Sequence, residues 1–401
     1  MGVRRWLILA VGVTAQAMTC TFLYGLGFLL PVVQRSEGLD LGQAATLVAT
    51  PVVGVLATLI AWGALADRFG ERVVMVTGMT AAGGLLVAAS FVHGLVPLGA
   101  ALALAGMGAA SVNAASGRVV MGWFAVHERG LAMGLRQTAQ PLGVGLAAVA
   151  LPPLGAHFGF RAALLLPAGL CLLSAVLVLL VVVDPARPER TVAETSSPYR
   201  TPVLWRVHAV GALLCVPQMV GSTYALTYLD DQRGWDPVVA GQVIAVVQVF
   251  GALGRIGVGV WSDRVGSRLR PMRTIAVLVL GSLVAWAVGD LLHSWVAVAA
   301  MVATLIVSVA DNGLGFTATA ELAGPFWAGR ALGAHNTGQN IVAMVVPPVF
   351  GWLISSTGYW TAFLVCAVTP LVGAVMTPVR ATVDDVRRPR GADREPGRTG
   401  A

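Results

Sequence analysis

The stretch GALADRFGER at residues 63–72 lies between two long apolar runs. A second stretch, GVWSDRVGSR at residues 259–268, repeats its first glycine, its Asp-Arg pair, its second glycine and its last arginine, each 196 residues later. Fixed positions that recur at one offset, in the same place between hydrophobic segments, indicate an internal repeat. The sequence therefore predicts two homologous halves.

The composition predicts a membrane protein. Apolar residues make up 57% of the 401 residues and charged residues only 11%, whereas about 25% of the residues of a soluble domain are charged. Helices that are apolar on all sides must lie in lipid or in protein rather than in water. The net charge of +7 comes from arginines in loops and tails between the apolar runs. We therefore expect a lipid bilayer, and no nucleic acid, as partner.

Twelve apolar stretches are long enough for a spanning helix of about 20 residues. We number them spans 1 to 12, and they lie near residues 6–33, 43–65, 73–92, 97–121, 131–155, 162–183, 203–229, 238–260, 273–291, 295–320, 331–355 and 361–379. The predicted domains are a first six-helix bundle (1–183), a polar connector (184–202), a second six-helix bundle (203–380) and a disordered tail (381–401). Span 1 is too long for the core of a signal peptide, so we expect it to be retained.

The arginines predict the orientation. Twenty of the 26 arginines fall on the face that holds both termini and the connector, three fall on the other face, and three lie inside predicted spans. Arginine and lysine are enriched in cytoplasmic loops. We therefore expect a multi-pass protein of the inner cell membrane with both termini in the cytoplasm.

A loop with this Gly, Asp-Arg, Gly and Arg pattern between the second and third spans of each half resembles the signature loop of the major facilitator superfamily. The resemblance implies an all-α membrane fold of twelve helices in two pseudo-symmetric six-helix bundles, and transport by alternating access. In the superfamily the aspartate of this loop is thought to hold the two halves together on the cytoplasmic side. That role would set Asp67 against the start of the span at Ala331, and Asp263 against the start of the span at Leu131.

The charges of the loop also have a physical interpretation. A carboxylate is stabilised by the positive N-terminal end of a neighbouring helix, and adjacent arginines can pair with acidic groups such as Glu128 or Glu321. Such contacts would hold one conformation closed. The alternative is that these charges are solvated and only enforce the topology. The candidate gating residues are Asp67, Arg68, Arg72, Asp263, Arg264 and Arg268.

Spans 5 and 11 carry a second repeat, in which polar residues recur. Residues 134–140 read GLRQTAQ and residues 333–339 read GAHNTGQ, at an offset of 199. Polar side chains in lipid are costly and should face a water-filled cavity, and transporters bind substrate between such repeats. Arg136 and Gln140 lie one helical turn apart, as do His335 and Gln339. We therefore expect each half to offer one polar pair to a central cleft.

Each of these residues has a structural alternative. Arg136 could snorkel to cytoplasmic water, because it lies only one to two turns inside the membrane. His335, a candidate for proton coupling, could instead hydrogen-bond a neighbouring helix. Gln140 and Gln339, the better candidates for substrate contact, could join helices instead.

Spans 4 and 10 add further polar residues. Asn113 recurs as Asn312 at the same offset of 199, and both are candidate substrate contacts. Asp311 has no counterpart in the first half. A carboxyl group at this depth either binds a proton, as a coupling group must, or pairs with a cation such as Arg136 or Arg255. Asp311 is therefore our main candidate for proton coupling.

Spans 1 and 7 supply the remaining candidates for substrate contact, which are Tyr24, Gln218 and Tyr224. Their alternative is a structural role, since tyrosines also anchor helices at the membrane interface. The four cysteines lie in apolar runs without metal-ligand spacing. We expect no metal and no cofactor.

These features favour a secondary transporter of a small organic solute, coupled to protons and acting as a monomer. An organic anion is preferred because Arg136 would supply a buried positive charge. The alternative is a multidrug or metabolite exporter that exchanges protons. Such exporters carry Gly-Pro-x-x-Gly-Gly in the fifth span, and residues 140–145 read QPLGVG, so only Pro141 and Gly145 match. An enzyme or a transporter-like receptor is disfavoured, because the sequence has no paired catalytic acids, no nucleophile with a base and no sensor domain.

Overall fold

The described part of the chain is largely helical. The computed structural model describes residues 2–185 and 197–382, together with residue 385, and within these residues it contains no strand. Most of the predicted connector and of the predicted tail lie outside the described residues. Eleven helices in the described ranges are long and apolar enough to cross a membrane, and one further apolar helix, Leu165–Val181, is shorter. The chain is therefore an all-α, multi-pass membrane protein.

The first half contains six spans. Span 1 is longer than predicted, because the 3-10 turn Gly25–Leu29 joins its two helices. Span 6 follows a bend at Gly159, whose φ of 82° lies in the left-handed region that glycine tolerates. The helices are Gly2–Leu23 with Leu30–Glu37 (span 1), Leu41–Phe69 (span 2), Glu71–Ala89 (span 3), Leu95–Trp123 (span 4), Arg129–Gln137 with Ala139–Ala163 (span 5) and Leu165–Val181 (span 6).

The second half repeats this arrangement. Its helices are Pro202–Arg233 (span 7), Pro237–Val265 (span 8), Leu269–Leu291 (span 9), Val296–Val307 with Asn312–Ala323 (span 10), Ala328–Thr357 (span 11) and Tyr359–Met376 (span 12). Each half packs around its own hydrophobic core. A smaller apolar cluster at the junction contains Met133 of the first half and Phe316 and Leu332 of the second.

Spans 5 and 10 were predicted as single helices, and each is broken in two. Span 5 breaks at Thr138, shortly before Pro141. Because proline has no N–H, the main-chain oxygen of Gln137 loses its helical partner. Span 10 breaks between Val307 and Asn312. Irregular backbone at membrane depth is tolerated only where it lies in protein or lines a cavity, so these breaks should face the interior of the bundle rather than lipid.

The two halves meet where glycines let their main chains approach. A Cβ atom on Gly63 of span 2 would lie 2.2 Å from the main-chain oxygen of Gly329 in span 11. A Cβ atom on Gly259 of span 8 would lie 2.2 Å from the main-chain oxygen of Gly130 in span 5. Both approaches require glycine. The internal repeat therefore produces two equivalent crossings.

Both glycine crossings lie on the face that also holds the two ends of the described chain, which we call the terminal face. There Arg5 forms an ion pair with Glu128 at 2.5 Å, just before span 5. The main contacts between the halves join spans 2 and 4 to span 11, and the first helix of span 5 to spans 8 and 10. The second helix of span 5 takes no part in these main contacts. The halves are thus closed together at the terminal face and separate toward the opposite face.

Candidate functional site

A polar cavity lies between the halves, beside the breaks in spans 5 and 10. Seven of the eight predicted substrate contacts line it, namely Arg136, Gln140, Asn113, Gln339, Asn312, Tyr24 and Gln218. The lining is completed by Gln16, Cys20, Gln137, Cys215, Met219, Phe316, Asn336, Asn340 and Ala343. Binding of a substrate by these side chains stays a prediction, but the fold brings them together from both halves.

Arg136 lines the cavity and is only 4% exposed. Its guanidinium donates to the hydroxyl of Ser116 at 2.9 Å, to the side-chain oxygen of Gln137 at 2.7 Å and to the main-chain oxygen of Asn113 at 3.1 Å. It also lies over the ring of Phe316, 5.3 Å from the ring centroid. These partners are neutral, and no carboxylate in the described ranges forms an ion pair with Arg136. The cavity therefore contains an uncompensated positive charge.

Two amide pairs beside the cavity join corresponding spans in the two halves. In the first half Gln16 of span 1 donates to the side-chain oxygen of Asn113 in span 4 at 2.5 Å. In the second half Asn312 of span 10 donates to the side-chain oxygen of Gln218 in span 7 at 3.1 Å. Hydrogen bonds between amide side chains are a common way to join helices in membranes. All four amide residues also line the cavity.

Tyr224, the eighth predicted contact, lies outside the cavity lining. Its hydroxyl donates to the main-chain oxygen of Pro347 in span 11 and lies beside Gly351. The absence of a side chain at Gly351 leaves room for the phenol. Tyr224 therefore joins span 7 to span 11 and does not line this cavity, and its contact with substrate stays a prediction.

His335 is also outside the cavity lining, although span 11 contributes other residues to it. Its ring fills the space beside Gly211 and Gly315, where added Cβ atoms would lie 2.3 Å and 3.0 Å from it. Its Nδ1 lies 3.2 Å from Nδ1 of His208 and 3.3 Å from the hydroxyl of Thr319. The prediction that His335 faces the cleft is therefore wrong, because two glycines on neighbouring spans accommodate the ring on the other side of the helix.

A chain of aromatic contacts leads from His208 to the terminal face. Nε2 of His208 lies 3.0 Å from the hydroxyl of Tyr199, whose ring contacts Trp327. The guanidinium of Arg330 lies 3.9 Å from the centroid of the Trp327 ring. Burial raises the pKa of Tyr199 to about 12, so its phenol stays protonated well above neutral pH. The end of the connector is thus packed against the start of span 11.

Asp311 lies at the break in span 10, is 2% exposed and does not line the cavity. The ion pairs with Arg136 or Arg255 that were considered as alternatives are not formed within the described chain. Arg255 is near enough for its charge to act on Asp311, but it donates instead to two main-chain oxygens. These belong to Val309, at 3.2 Å, and Gln137, at 2.6 Å. The carboxyl group of Asp311 stays a candidate for proton coupling.

Asp67 caps the start of span 11, in the opposite half. Its carboxylate accepts hydrogen bonds from the N–H groups of Gly329 at 2.8 Å and Arg330 at 3.1 Å. Arg118 donates to the same carboxylate at 2.7 Å, and the side chain of Arg330 donates at 3.0 Å. The contact therefore combines main-chain donors at a helix start with two cations, both of which stabilise a carboxylate.

Asp263 makes the equivalent contact with the start of span 5. It accepts from the N–H groups of Gly130 at 2.9 Å and Leu131 at 2.8 Å. Arg268 donates to Asp263 at 2.5 Å and lies 3.3 Å from Glu321. Burial alone would lower the pKa of Arg268, but the carboxylates of Glu321 and Asp263 raise it above its usual value. This arginine therefore stays charged at any physiological pH.

The other predicted gating residues occupy different positions. Arg68 and Arg264 are exposed, and Arg68 lies over the ring of its neighbour Phe69. The N–H of Arg72 donates to Asp184 at 2.9 Å, at the end of span 6. Arg72 thus fastens span 3 to span 6 within the first half. The gating role of all six predicted residues stays a prediction.

Twelve apolar spans in two repeats, with a polar cavity between them, define a polytopic membrane transporter. The family model of the Major Facilitator Superfamily matches residues 12–347, and the chain belongs to that superfamily. Its members are transporters and not enzymes. In the described ranges no group of three histidine, cysteine or acidic side chains is arranged to hold a metal ion.

Known relatives agree with this assignment. An uncharacterized MFS-type transporter of Mycobacterium tuberculosis is 44% identical over 380 residues, which cover 94% of this chain and 85% of the relative. A probable sulfoacetate transporter, SauU of Cupriavidus necator, is 24% identical over 372 residues and covers 86% of each chain. Among solved structures, the E. coli fucose:proton symporter FucP aligns with a TM-score of 0.74 at 15% identity, over 93% of this chain and 98% of FucP.

Proposed function

We propose that the protein is a secondary active transporter that moves a small organic anion across the membrane by alternating access, coupled to protons. The observation that carries the proposal is Arg136, a buried guanidinium on a central cavity with neutral partners. A buried cation without a counter-charge is unfavourable. An anionic substrate would supply that charge and accept charge-assisted hydrogen bonds from the guanidinium.

The distant relative named as a probable sulfoacetate transporter supports a small organic anion as the substrate class. The composition of the cavity gives further support, because most of its lining side chains are polar. A polar cavity favours a hydrophilic solute over the lipophilic compounds that a multidrug exporter carries.

The contacts at the terminal face would determine on which side of the membrane the cavity is open. With the termini in the cytoplasm, as the arginines predict, this conformation opens outward and is closed inward by Asp67 and Asp263. Release of substrate into the cytoplasm then requires both contacts to break. Substrate and protons can drive that change only if they bind one conformation more tightly than the other.

Proton coupling is assigned to Asp311. It lies at the break in span 10 and directly precedes Asn312, whose side chain lines the cavity. A change in the position of the broken segment would therefore alter the surroundings of the carboxyl group and of the substrate together. Coupling between two ligands requires that the binding of one changes the affinity for the other, and a common change in surroundings would have this effect.

The test of the proposed function is uptake of labelled organic anions by purified protein in proteoliposomes. We expect the wild type to transport at least one anion, and Arg136→Gln to lower its transport at least tenfold. Arg161→Gln is the matched control, since Arg161 pairs with Glu37 on the other side of the molecule. Equal loss for anionic and neutral solutes in Arg136→Gln would mean that the arginine is structural. Transport of lipophilic drugs without anions would support the exporter alternative.

A further inference from the structure

The charge and polarity of the cavity are unevenly distributed between the halves. Among its lining residues in the described chain, the single cation, Arg136, belongs to the first half, and no carboxylate is present. Met219, Phe316 and Ala343, the lining residues whose side chains carry no hydroxyl, thiol, amide or charged group, all belong to the second half. A bound anion therefore has a preferred direction, with its acid group toward the first half and its carbon chain toward the second.

The second half nevertheless does not form an apolar pocket for that carbon chain. Its span 11 places Asn336, Gln339 and Asn340 around the cavity. Asn340 donates to the side-chain oxygen of Asn336 at 2.9 Å. Gln339 and its repeat equivalent Gln140 make no side-chain hydrogen bond to any residue that the structure describes. The amides thus offer donors and acceptors that a hydrocarbon chain cannot satisfy.

We propose, building on the organic-anion transport proposed above, that the preferred substrate is a hydroxylated organic monoanion. Its acid group binds toward Arg136, and its hydroxyl groups bind among Asn336, Gln339 and Asn340. An alkyl acid of equal length would cover these amides without pairing them, and sites built for hydroxyl groups reject such analogues strongly. The apolar side chains in the same half would contact the carbon backbone of the substrate.

The cavity should prefer a substrate with one acid group, because Arg136 is the single cation among its described lining residues. A second acid group would lie among the amides of span 11, where no cation lines the cavity. The next buried guanidinium, that of Arg255, does not line it and is bound to the main-chain oxygens of Gln137 and Val309. An acid group that leaves water without a cationic partner binds poorly. A dianion should therefore be transported less well than the matching hydroxylated monoanion.

The inference can be tested with substrates matched in length. The six-carbon set is gluconate, hexanoate, glucarate and glucitol, and the four-carbon set is threonate, butyrate, tartrate and erythritol. The two-carbon set is isethionate, ethanesulfonate, sulfoacetate and ethylene glycol. Initial uptake of each labelled compound is measured in wild-type proteoliposomes. In at least one set we expect the hydroxylated monoanion to enter at least tenfold faster than the alkyl acid, the diacid and the neutral compound.

Other results would overturn the inference in different ways. If alkyl acids or diacids enter as fast as the hydroxylated monoanion in every set, the inference fails, while organic-anion transport stands. If the neutral polyols enter fastest, both fail. If no compound enters, the inference fails as well.

Two variants test the assigned groups. Arg136→Gln should remove the preference for gluconate over glucitol, and Gln339→Leu should remove the preference for gluconate over hexanoate. Ser356→Ala is the control, because Ser356 is exposed near the far end of span 11. If Gln339→Leu slows both acids equally, the amide does not recognise hydroxyl groups. The wild-type panel decides the question even if a variant does not fold.

Discussion

The side chain of Arg255 donates a hydrogen bond to the main-chain oxygen of Gln137, at 2.6 Å across the boundary between the halves. This oxygen has no helical partner, because Pro141 four residues later has no N–H. The same guanidinium bonds the main-chain oxygen of Val309 at the break in span 10. Arg255 therefore satisfies main-chain groups left by both helix breaks, and it joins the halves beside the cavity.

Replacing Arg255 should open the terminal face. A hydrogen bond to a charged group contributes about 1.5 to 3 kcal/mol, so Arg255→Gln should lower the ratio of closed to open molecules about 10- to 150-fold. Distances between spin labels at the exposed residues Val3 and Val265 would report the change.

In the double variant with Pro141→Ala, the restored N–H should pair with Gln137 and recover part of the lost thermal stability. No recovery would mean that the free main-chain oxygen is not the cause.

The two aspartate contacts at the terminal face should act independently. A carboxylate at a helix start contributes about 0.3 to 2 kcal/mol, so Asp67→Asn and Asp263→Asn should each slow transport without preventing folding. The changes in the free energy of closing that the two variants cause should add, because the contacts involve different residues. Asp40→Asn is the control, since Asp40 caps span 2 within its own half through the N–H of Gln43. Wild-type transport in both variants would contradict a gating role.

The glycine crossings should tolerate no side chain. In Gly63→Ala the new methyl would lie 2.2 Å from the main-chain oxygen of Gly329, and Gly259→Ala would meet Gly130 at the same distance. Overpacking costs about 1 to 3 kcal/mol, and separation of the halves would relieve it. We therefore expect a larger distance across the terminal face and slower transport. Gly338→Ala, with no atom within 4 Å of the added carbon, should behave as wild type.

Proton coupling through Asp311 predicts a separation of two transport modes. Asp311→Asn keeps the size of the side chain and removes its titration. It should abolish accumulation driven by a pH gradient but leave exchange of labelled for unlabelled substrate, when both are measured in the same proteoliposomes. Accumulation in the variant would eliminate Asp311 as the proton carrier. Loss of both modes would instead indicate that the carboxyl group is structural.

The spans could be predicted from local apolar patterns, and the terminal-face contacts from the resemblance of the repeated loop to the signature loop of the superfamily. Apolar length determines where a helix crosses the membrane, and a loop repeated at the same offset places Asp67 and Asp263 equivalently. The break in span 5 also had a local signal in Pro141, since proline interrupts the hydrogen bonds of a helix. In the same way, the polar residues Asn336 and Asn340 flank Gln339 and indicate a polar stripe on span 11.

The direction of His335 could not be predicted in this way. Its repeat equivalent Arg136 faces the cavity, and the 199-residue offset suggests the same for the histidine. The difference arises from Gly211 and Gly315, which are remote in sequence and leave space for the ring on the far side. The hydrogen bond from Arg255 to Gln137 could not be predicted either. It joins residues that are remote in sequence, and it depends on how the breaks in spans 5 and 10 lie relative to each other.

Both aspartates at the terminal face recognise main-chain N–H groups, which are the same whatever side chains the helix start carries. These main-chain contacts therefore do not depend on the side chains of the helix start, to which the Arg330 side chain adds one further bond to Asp67. The recognition is also reciprocal, because each half offers one loop and one helix start. One pairing of loop and helix start, used twice in opposite directions, therefore holds the two halves together at this face.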